Sequence, residues 1–302
     1  MLVLRKLKAG QSILHYVDFH QKKAGTPTMG GFLFIIPMLV MSPFLLRGDT
    51  PLSIVIVVAS LGYALLGFLD DFIKIRTKNN QGLRAYQKII GQGGIAILVA
   101  VFYWLVNPSG QILIPFLNIW LELGWLIIPL VFIALVATTN SVNLTDGVDG
   151  LAGTVTLIYL VFITALMHIL GTYTELGELV PMTGLAAITA GALVCFLLFN
   201  TNKAKVFMGD TGSLYLGAFI AMISLFSYLG FFIIVLGIMF VISSLSDIIQ
   251  VCYFKLTKGK RVFLMAPYHH HLEKKGFSEA KIVFLYTIIT VFAGALCVWS
   301  LL

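Results

Sequence analysis

Read for runs of apolar residues, the chain falls into nine stretches, at about 30–46, 51–69, 89–106, 124–139, 150–171, 180–199, 213–229, 231–254 and 282–302. Short segments rich in Gly, Asp, Asn, His and Lys separate them. None shows the period-2 alternation of a barrel strand, and an open sheet in lipid would leave its edge N–H and C=O groups unpaired, so helix is the predicted state. A helix needs roughly 20 apolar residues to cross a hydrocarbon core about 30 Å thick, and the shortest stretches sit at the lower end of that requirement. The fold class is all-α, a polytopic integral membrane helical bundle of about nine transmembrane helices. It forms one membrane-embedded domain over residues 1–302.

Composition narrows the picture. Of 302 residues, 59% are hydrophobic and 11% are charged, against roughly 25% charged in a soluble domain. This excludes a soluble enzyme, a disordered chain, a coiled coil and a secreted disulfide scaffold. Cys195, Cys252 and Cys297 all lie in apolar stretches, and their odd number predicts small buried side chains without a disulfide framework. The opening MLVLRKLKAGQ lacks the apolar core of a signal peptide.

Charge sets orientation. Nineteen of the 20 Lys and Arg fall in 1–29, 70–88, 140–149, 200–212 and 255–281, while 47–50, 107–123, 172–179 and 230 hold only Arg47. By the positive-inside rule the first set is cytoplasmic, with the N-terminus inside and the C-terminus outside. The net charge of +7 therefore reads as topology, with no nucleic-acid partner. Nearly all Asp, Asn and His share the cytoplasmic set. The deepest acid, Asp247, lies about seven residues from the inner end of its helix, roughly 10 Å. A transporter places ionisable groups near the midplane, so the functional face is read as cytoplasmic and an ion-coupled transporter stays a distant alternative.

Five cytoplasmic segments carry candidate chemistry. In GFLDDFIK, Asp70 and Asp71 sit at a helix C-terminal end, where the dipole disfavours carboxylates. Either Lys74 and Arg76 merely pair with them, or they form a metal or phosphate-chemistry site that Lys74 joins if the helix continues. NSVNLTDGVDGLAG offers Asn140, Asn143, Thr145, Asp146 and Asp149 in a loop without Lys or Arg. Asp149 suits an N-cap, whereas Asp146 wants a cation or a donor-rich ligand. FNTNKAKVFMGDTGSLYLG carries Asn200, Lys203, Lys205, Phe207 and Asp210. Asp210 is an N-cap or a site acid, and Phe207 dips into the interface or stacks on a planar base. MAPYHHHLEKKG holds His269, His270 and His271, consecutive and so unlike a zinc site, able to donate to phosphates or sugars and to move protons near neutral pH. The basic residues around it could instead simply meet anionic lipid. KKAGTPTMGG brings Lys23 and Thr28, with Lys23 a phosphate-binding point charge or a helix anchor. Hard oxygen donors without cysteine suit Mg²⁺ or Mn²⁺ held by carboxylates and substrate phosphates. Together these features point to phosphoryl transfer from a nucleotide-linked donor to something in the membrane.

These five motifs together resemble the signatures of the phospho-N-acetylmuramoyl-pentapeptide transferase family (translocase I), a branch of the polyprenyl-phosphate hexosamine-1-phosphate transferases. The likeness runs from about Lys6 to the C-terminus. The resemblance implies transfer of phospho-MurNAc-pentapeptide from UDP-MurNAc-pentapeptide to undecaprenyl phosphate, giving lipid I and UMP, the first membrane step of peptidoglycan synthesis. It implies Mg²⁺ (Mn²⁺ possible), the bacterial inner membrane and a homodimer. By motif it makes Asp70, Asp71 and Asp210 the catalytic carboxylates, Asp210 the metal ligand and His269 the catalytic-region histidine. Lys74, Asn143, Asp146, Phe207 and nearby groups such as Asp149 would form the uridine and diphosphate pocket. Lys23, Thr28, Asn200, Gln250, His270 and His271 fall on positions lining the site. Direct attack by the lipid phosphate, with Asp70 as base, is favoured over a covalent phospho-enzyme. A sibling enzyme that transfers GlcNAc-1-phosphate to the same lipid is the alternative, and MAPYHHH argues against it. The family has ten spans with both termini outside, so its first helix is expected to be missing here.

Overall fold

The computed structural model describes residues 25–46, 50–77, 82–174, 176–177, 179–201 and 203–302. Its helices are α1 (Phe32–Leu45), α2 (Pro51–Thr77), α3 (Ala85–Val106), α4 (Ile127–Thr145), α5 (Leu151–Thr174), α6 (Leu179–Asn200), α7 (Gly209–Phe226), α8 (Phe232–Leu236), α9 (Ile238–Leu256), α10 (Tyr268–Lys274) and α11 (Glu279–Trp299). Among the described residues eight helices are long and apolar enough to cross a membrane. The first apolar stretch departs from expectation. α1 has 14 residues and contains Pro37 and Pro43, so it rises only about 21 Å.

The bundle is built around α7. Every residue from Thr211 to Phe226 is buried, as suits a helix apolar on all sides. α7 packs most extensively on α2 and α4, while α5 pairs with α6 and α11, α1 with α6, and α3 with α4. Large side chains such as Leu98, Val180, Leu198 and Phe292 point out of the bundle, where lipid rather than water solvates them. Cys195 and Cys252 share that exposed surface and only Cys297 is buried, which corrects the expectation that all three are interior. In lipid, an apolar side chain has no need to be interior.

Two further departures follow from backbone chemistry. The stretch expected as one helix over 231–254 is interrupted at Gly237, between α8 and α9. A Cβ there would collide with the Ile233 carbonyl. Between α3 and α4 a short hairpin forms, β1 (Gln111–Ile114) antiparallel to β2 (Ile119–Glu122), with Gln111 opposite Glu122 and Ile114 opposite Ile119. Leu113 N donates to Tyr228 O at 2.9 Å, and Trp120 meets Tyr228 edge-on at 5.7 Å. The hairpin thereby docks on the turn after α7, at the end of the bundle opposite the charged motifs.

Candidate active site

The site begins with two helices that outlast their apolar stretches. α2 continues eight residues past Leu69 to Thr77, so Asp70, Asp71 and Lys74 are helical. α4 continues to Thr145, which places Asn140 and Asn143 on a helix and shortens the expected loop. α7 begins earlier than its apolar run, at Gly209, so Asp210 lies in its first turn. Gly209 takes φ +73, in the region that favours glycine.

Asp71 caps α7 from another helix. Its Oδ1 accepts from Asp210 N at 3.1 Å, and its Oδ2 accepts from Thr211 N at 2.9 Å and Thr211 Oγ1 at 2.7 Å. A carboxylate here meets unpaired N–H groups and the positive end of the helix dipole. The approach is possible because Gly67 lies against the Asp210 carbonyl, where a Cβ would collide. With Asp71 satisfying the helix end, Asp210 is not an N-cap, and its side chain turns to other partners.

Those partners converge. Asp210 Oδ2 receives Lys74 Nζ and Lys88 Nζ, each at 2.9 Å. Asp210 Oδ1 accepts from Asn143 Nδ2 at 2.6 Å, and that amide also donates to Ser213 Oγ at 2.8 Å. Lys74 reaches back to Asp70 Oδ2 at 2.5 Å, and Asp70 Oδ1 accepts from Leu83 N at 2.8 Å. One carboxylate oxygen from each of Asp70, Asp71 and Asp210 lies within 4.8 Å of the others. Local pairing of Lys74 with Asp70 is real, yet the lysine also links α2 to α7.

Asp146 stands beside this cluster. Burial raises its carboxyl well above the ordinary value of 3.8, and the negative charges of Asp210, Asp71 and Asp149 push it further in the same direction. Asp70, Asp71, Asp146 and Asp210 face Lys74 and Lys88, leaving an excess of two negative charges when all are ionised. All the acid donors are hard oxygens, so the set fits a divalent cation of the Mg²⁺ class.

The remaining expected residues divide. Thr28 is buried and lies beside Gly209 and Asp71. Its segment is fastened to the 203–208 loop by Phe207 N to Pro27 O and Gly30 N to Phe207 O, both 2.8 Å. Phe207 itself is half-buried. Asp149 Oδ2 accepts from Ala204 N at 2.8 Å, a contact across loops. Asn200 accepts from Gly150 N at 3.0 Å and donates to Val206 O at 2.9 Å, tying the same two loops. His269 is fully buried, with its ring packed on Gly147, next to Asp146. His270 Nδ1 pairs with Glu273 Oε2 at 2.6 Å. Gln250 Oε1 accepts from Val262 N at 3.1 Å and Phe263 N at 2.9 Å. His271 Nδ1 accepts from Leu264 N at 3.1 Å, and burial, then the charge of Lys275, hold its pKa below 6.5. Lys23 lies outside the described residues.

Lys88, Ser213 and Glu273 join the site's bonding network without having been singled out in the sequence. For Lys88 one signal exists. It sits in the first turn of α3, where the dipole disfavours a cation unless an acid compensates.

Fold and site together define a class: a multi-pass membrane protein whose carboxylates and lysines gather at one end of the bundle, in an arrangement able to hold phosphate esters and a divalent cation. Comparison with known proteins gives the family. Residues 53–228 match glycosyl transferase family 4, and residues 23–35 match signature 1 of the phospho-N-acetylmuramoyl-pentapeptide transferases. A Clostridium botulinum (strain Alaska E43 / Type E3) protein named phospho-N-acetylmuramoyl-pentapeptide-transferase is 46% identical over 291 residues, covering 96% of this chain and 87% of its own length. Proteins of the same name from Halalkalibacterium halodurans and Heliobacterium modesticaldum are 41% and 42% identical, covering 98% and 97% of this chain and 90% of each relative. The chain belongs to the phospho-N-acetylmuramoyl-pentapeptide transferase family.

Proposed function

We propose that this protein transfers phospho-MurNAc-pentapeptide from UDP-MurNAc-pentapeptide to undecaprenyl phosphate, releasing UMP, at the cytoplasmic face of the bacterial inner membrane. The observation that carries the reading is the convergence of Lys74, Lys88 and Asn143 on Asp210 beside Asp70 and Asp71. The names of the relatives support the same activity. The partners are the nucleotide sugar, the polyprenyl phosphate, surrounding lipid and, by family resemblance alone, a second copy of the chain.

In the one-step course, an oxygen of undecaprenyl phosphate attacks the sugar-bearing phosphorus. The bond from that phosphorus to the bridging oxygen breaks, and the oxygen leaves with UMP. Asp70 accepts the proton when the attacking phosphate carries one. Lys74 and Lys88 neutralise charge on the transferring group and the leaving phosphate. Asp71 acts by positioning, since its oxygens hold the start of α7. Asn143, Asp146 and Phe207 take the uridine, with Asp146 accepting from a base N–H and Phe207 offering a ring face. Mg²⁺, which Mn²⁺ could replace, would be held by Asp210 with its neighbouring carboxylates and would supply charge neutralisation at the diphosphate.

The test is UMP release by purified protein given both substrates and Mg²⁺, wild type beside Asp210→Asn. Release that requires Asp210 supports the reading. Folded wild type that releases no UMP from UDP-MurNAc-pentapeptide, or that prefers UDP-GlcNAc, overturns it.

A further inference from the structure

The inner end of α9 leaves the bundle. Residues 251–256 are all exposed, and six consecutive residues exceed one helical turn, so every side of this end keeps accessible surface. Apart from Lys255 its exposed side chains are largely apolar, with Val251, Tyr253 and Phe254 at 40–44% accessible and Leu256 at 83%. In the following loop exposed Val262 and Leu264 come directly after the cations. Lys255, Lys258, Lys260 and Arg261 are exposed, and no Asp or Glu occurs from Ile248 to Leu272. Among the described residues none of the four cations forms an ion pair. Lys258 and Gly259 take φ +55 and +119 and turn the chain back, with Gly259 N donating to Phe254 O at 3.0 Å. Arg261 Nη1 donates to Leu264 O at 3.3 Å, so four cations without a carboxylate partner lie where an apolar helix ends.

We propose that the end of α9 and the loop 257–265 form a docking surface for anionic phospholipid headgroups of the membrane leaflet on the cation-rich side. The apolar side chains sit among acyl chains and the cations meet headgroup phosphates, a combination that binds anionic interfaces. Charge complementarity selects this occupant, because a zwitterionic headgroup already neutralises its own phosphate and leaves the four positive charges uncompensated. Occupancy orders the loop that leads to the histidine helix. That loop hangs from three consecutive amides, Val262 and Phe263 on Gln250 and Leu264 on His271, so fixing Lys258, Lys260 and Arg261 steadies the entry to α10. The proposal does not depend on the transferase reading.

The test is hydrogen exchange at the amides of 258–266 in the full-length protein. It is placed in nanodiscs of phosphatidylcholine alone or with one-third phosphatidylglycerol. Wild type is expected to exchange severalfold more slowly with phosphatidylglycerol, and 0.5 M salt should remove most of the difference. A triple variant, Lys258→Gln with Lys260→Gln and Arg261→Gln, should lose the response. The proposal is overturned by equal exchange in both lipids, by a triple variant that responds like wild type, or by equal protection from inorganic phosphate or UDP-sugar in neutral discs. The salt comparison uses wild type alone and stands whether or not the variant folds.

Discussion

Asp71→Asn tests the capping of α7 from α2. The side chain keeps its shape and loses its charge, whose favourable meeting with the α7 N-terminus is offset by burial and by the nearby Asp210 carboxylate. One oxygen becomes an NH₂ that faces donors. Depending on which oxygen is replaced, either Asp210 N loses its acceptor or Thr211 N and Thr211 Oγ1 both do, at about 1–3 kcal/mol. The expected loss is about 2 kcal/mol, or roughly 4–8 °C in melting temperature for a chain this large. Cys297 is buried, so a thiol-reactive dye reports unfolding once exposed Cys195 and Cys252 are replaced by Ala. Thr211→Val, which removes one donor and keeps the charge, should cost less than half as much. If Asp71→Asn melts within about 2 °C of its parent, Asp71 is not what holds the start of α7.

Gly67→Ala should cut UMP release by about 100-fold, because the added methyl meets the Asp210 backbone and displaces the carboxylate. Gly62→Ala on the same helix meets only the tip of Ile95 and should stay near wild type. Lys88→Gln should lower kcat by about 10- to 1,000-fold, as loss of one charge stabilising the transferring group, and an unchanged rate would remove Lys88 from the mechanism. Asp146→Asn should raise the melting temperature at pH 8 with chelator present. The carboxyl of Asp146 is raised by burial and by like charges, so its ionised form costs stability once pH climbs above the ordinary carboxylate range, and the cost is complete above the raised value. The gain should therefore shrink as pH falls towards 4, and a gain independent of pH would contradict the assigned cause.

The apolar stretches were legible because lipid demands long apolar helices, and α2 to α7 follow them closely. Their polar ends were less legible. Asp70 to Thr77 read as loop because apolarity stops at Leu69, yet a helix continues wherever its polar residues find partners, and Lys74 finds Asp70 and Asp210. Asp71 as a cap for α7 could not be read locally, since donor and acceptor lie 139 and 140 residues apart. Lys88 was hidden among cations that the positive-inside rule already explains. Asn200 and Gln250 were expected to line the site, Gln250 by family resemblance alone. Their bonds to Gly150, Val206, Val262 and Phe263 depend on which loops meet, and composition does not encode that. The hairpin escaped because four-residue strands are too short to show a period.

The most direct measurement follows the product. Purified protein is given UDP-MurNAc-pentapeptide, undecaprenyl phosphate and Mg²⁺, and both UMP and the lipid fraction are quantified by mass spectrometry. One phospho-MurNAc-pentapeptide on lipid is expected for each UMP, none with Asp210→Asn, and none when EDTA replaces Mg²⁺. Folded wild type that forms no lipid-linked product, or Asp210→Asn that forms it at the wild-type rate, would contradict the proposed transfer.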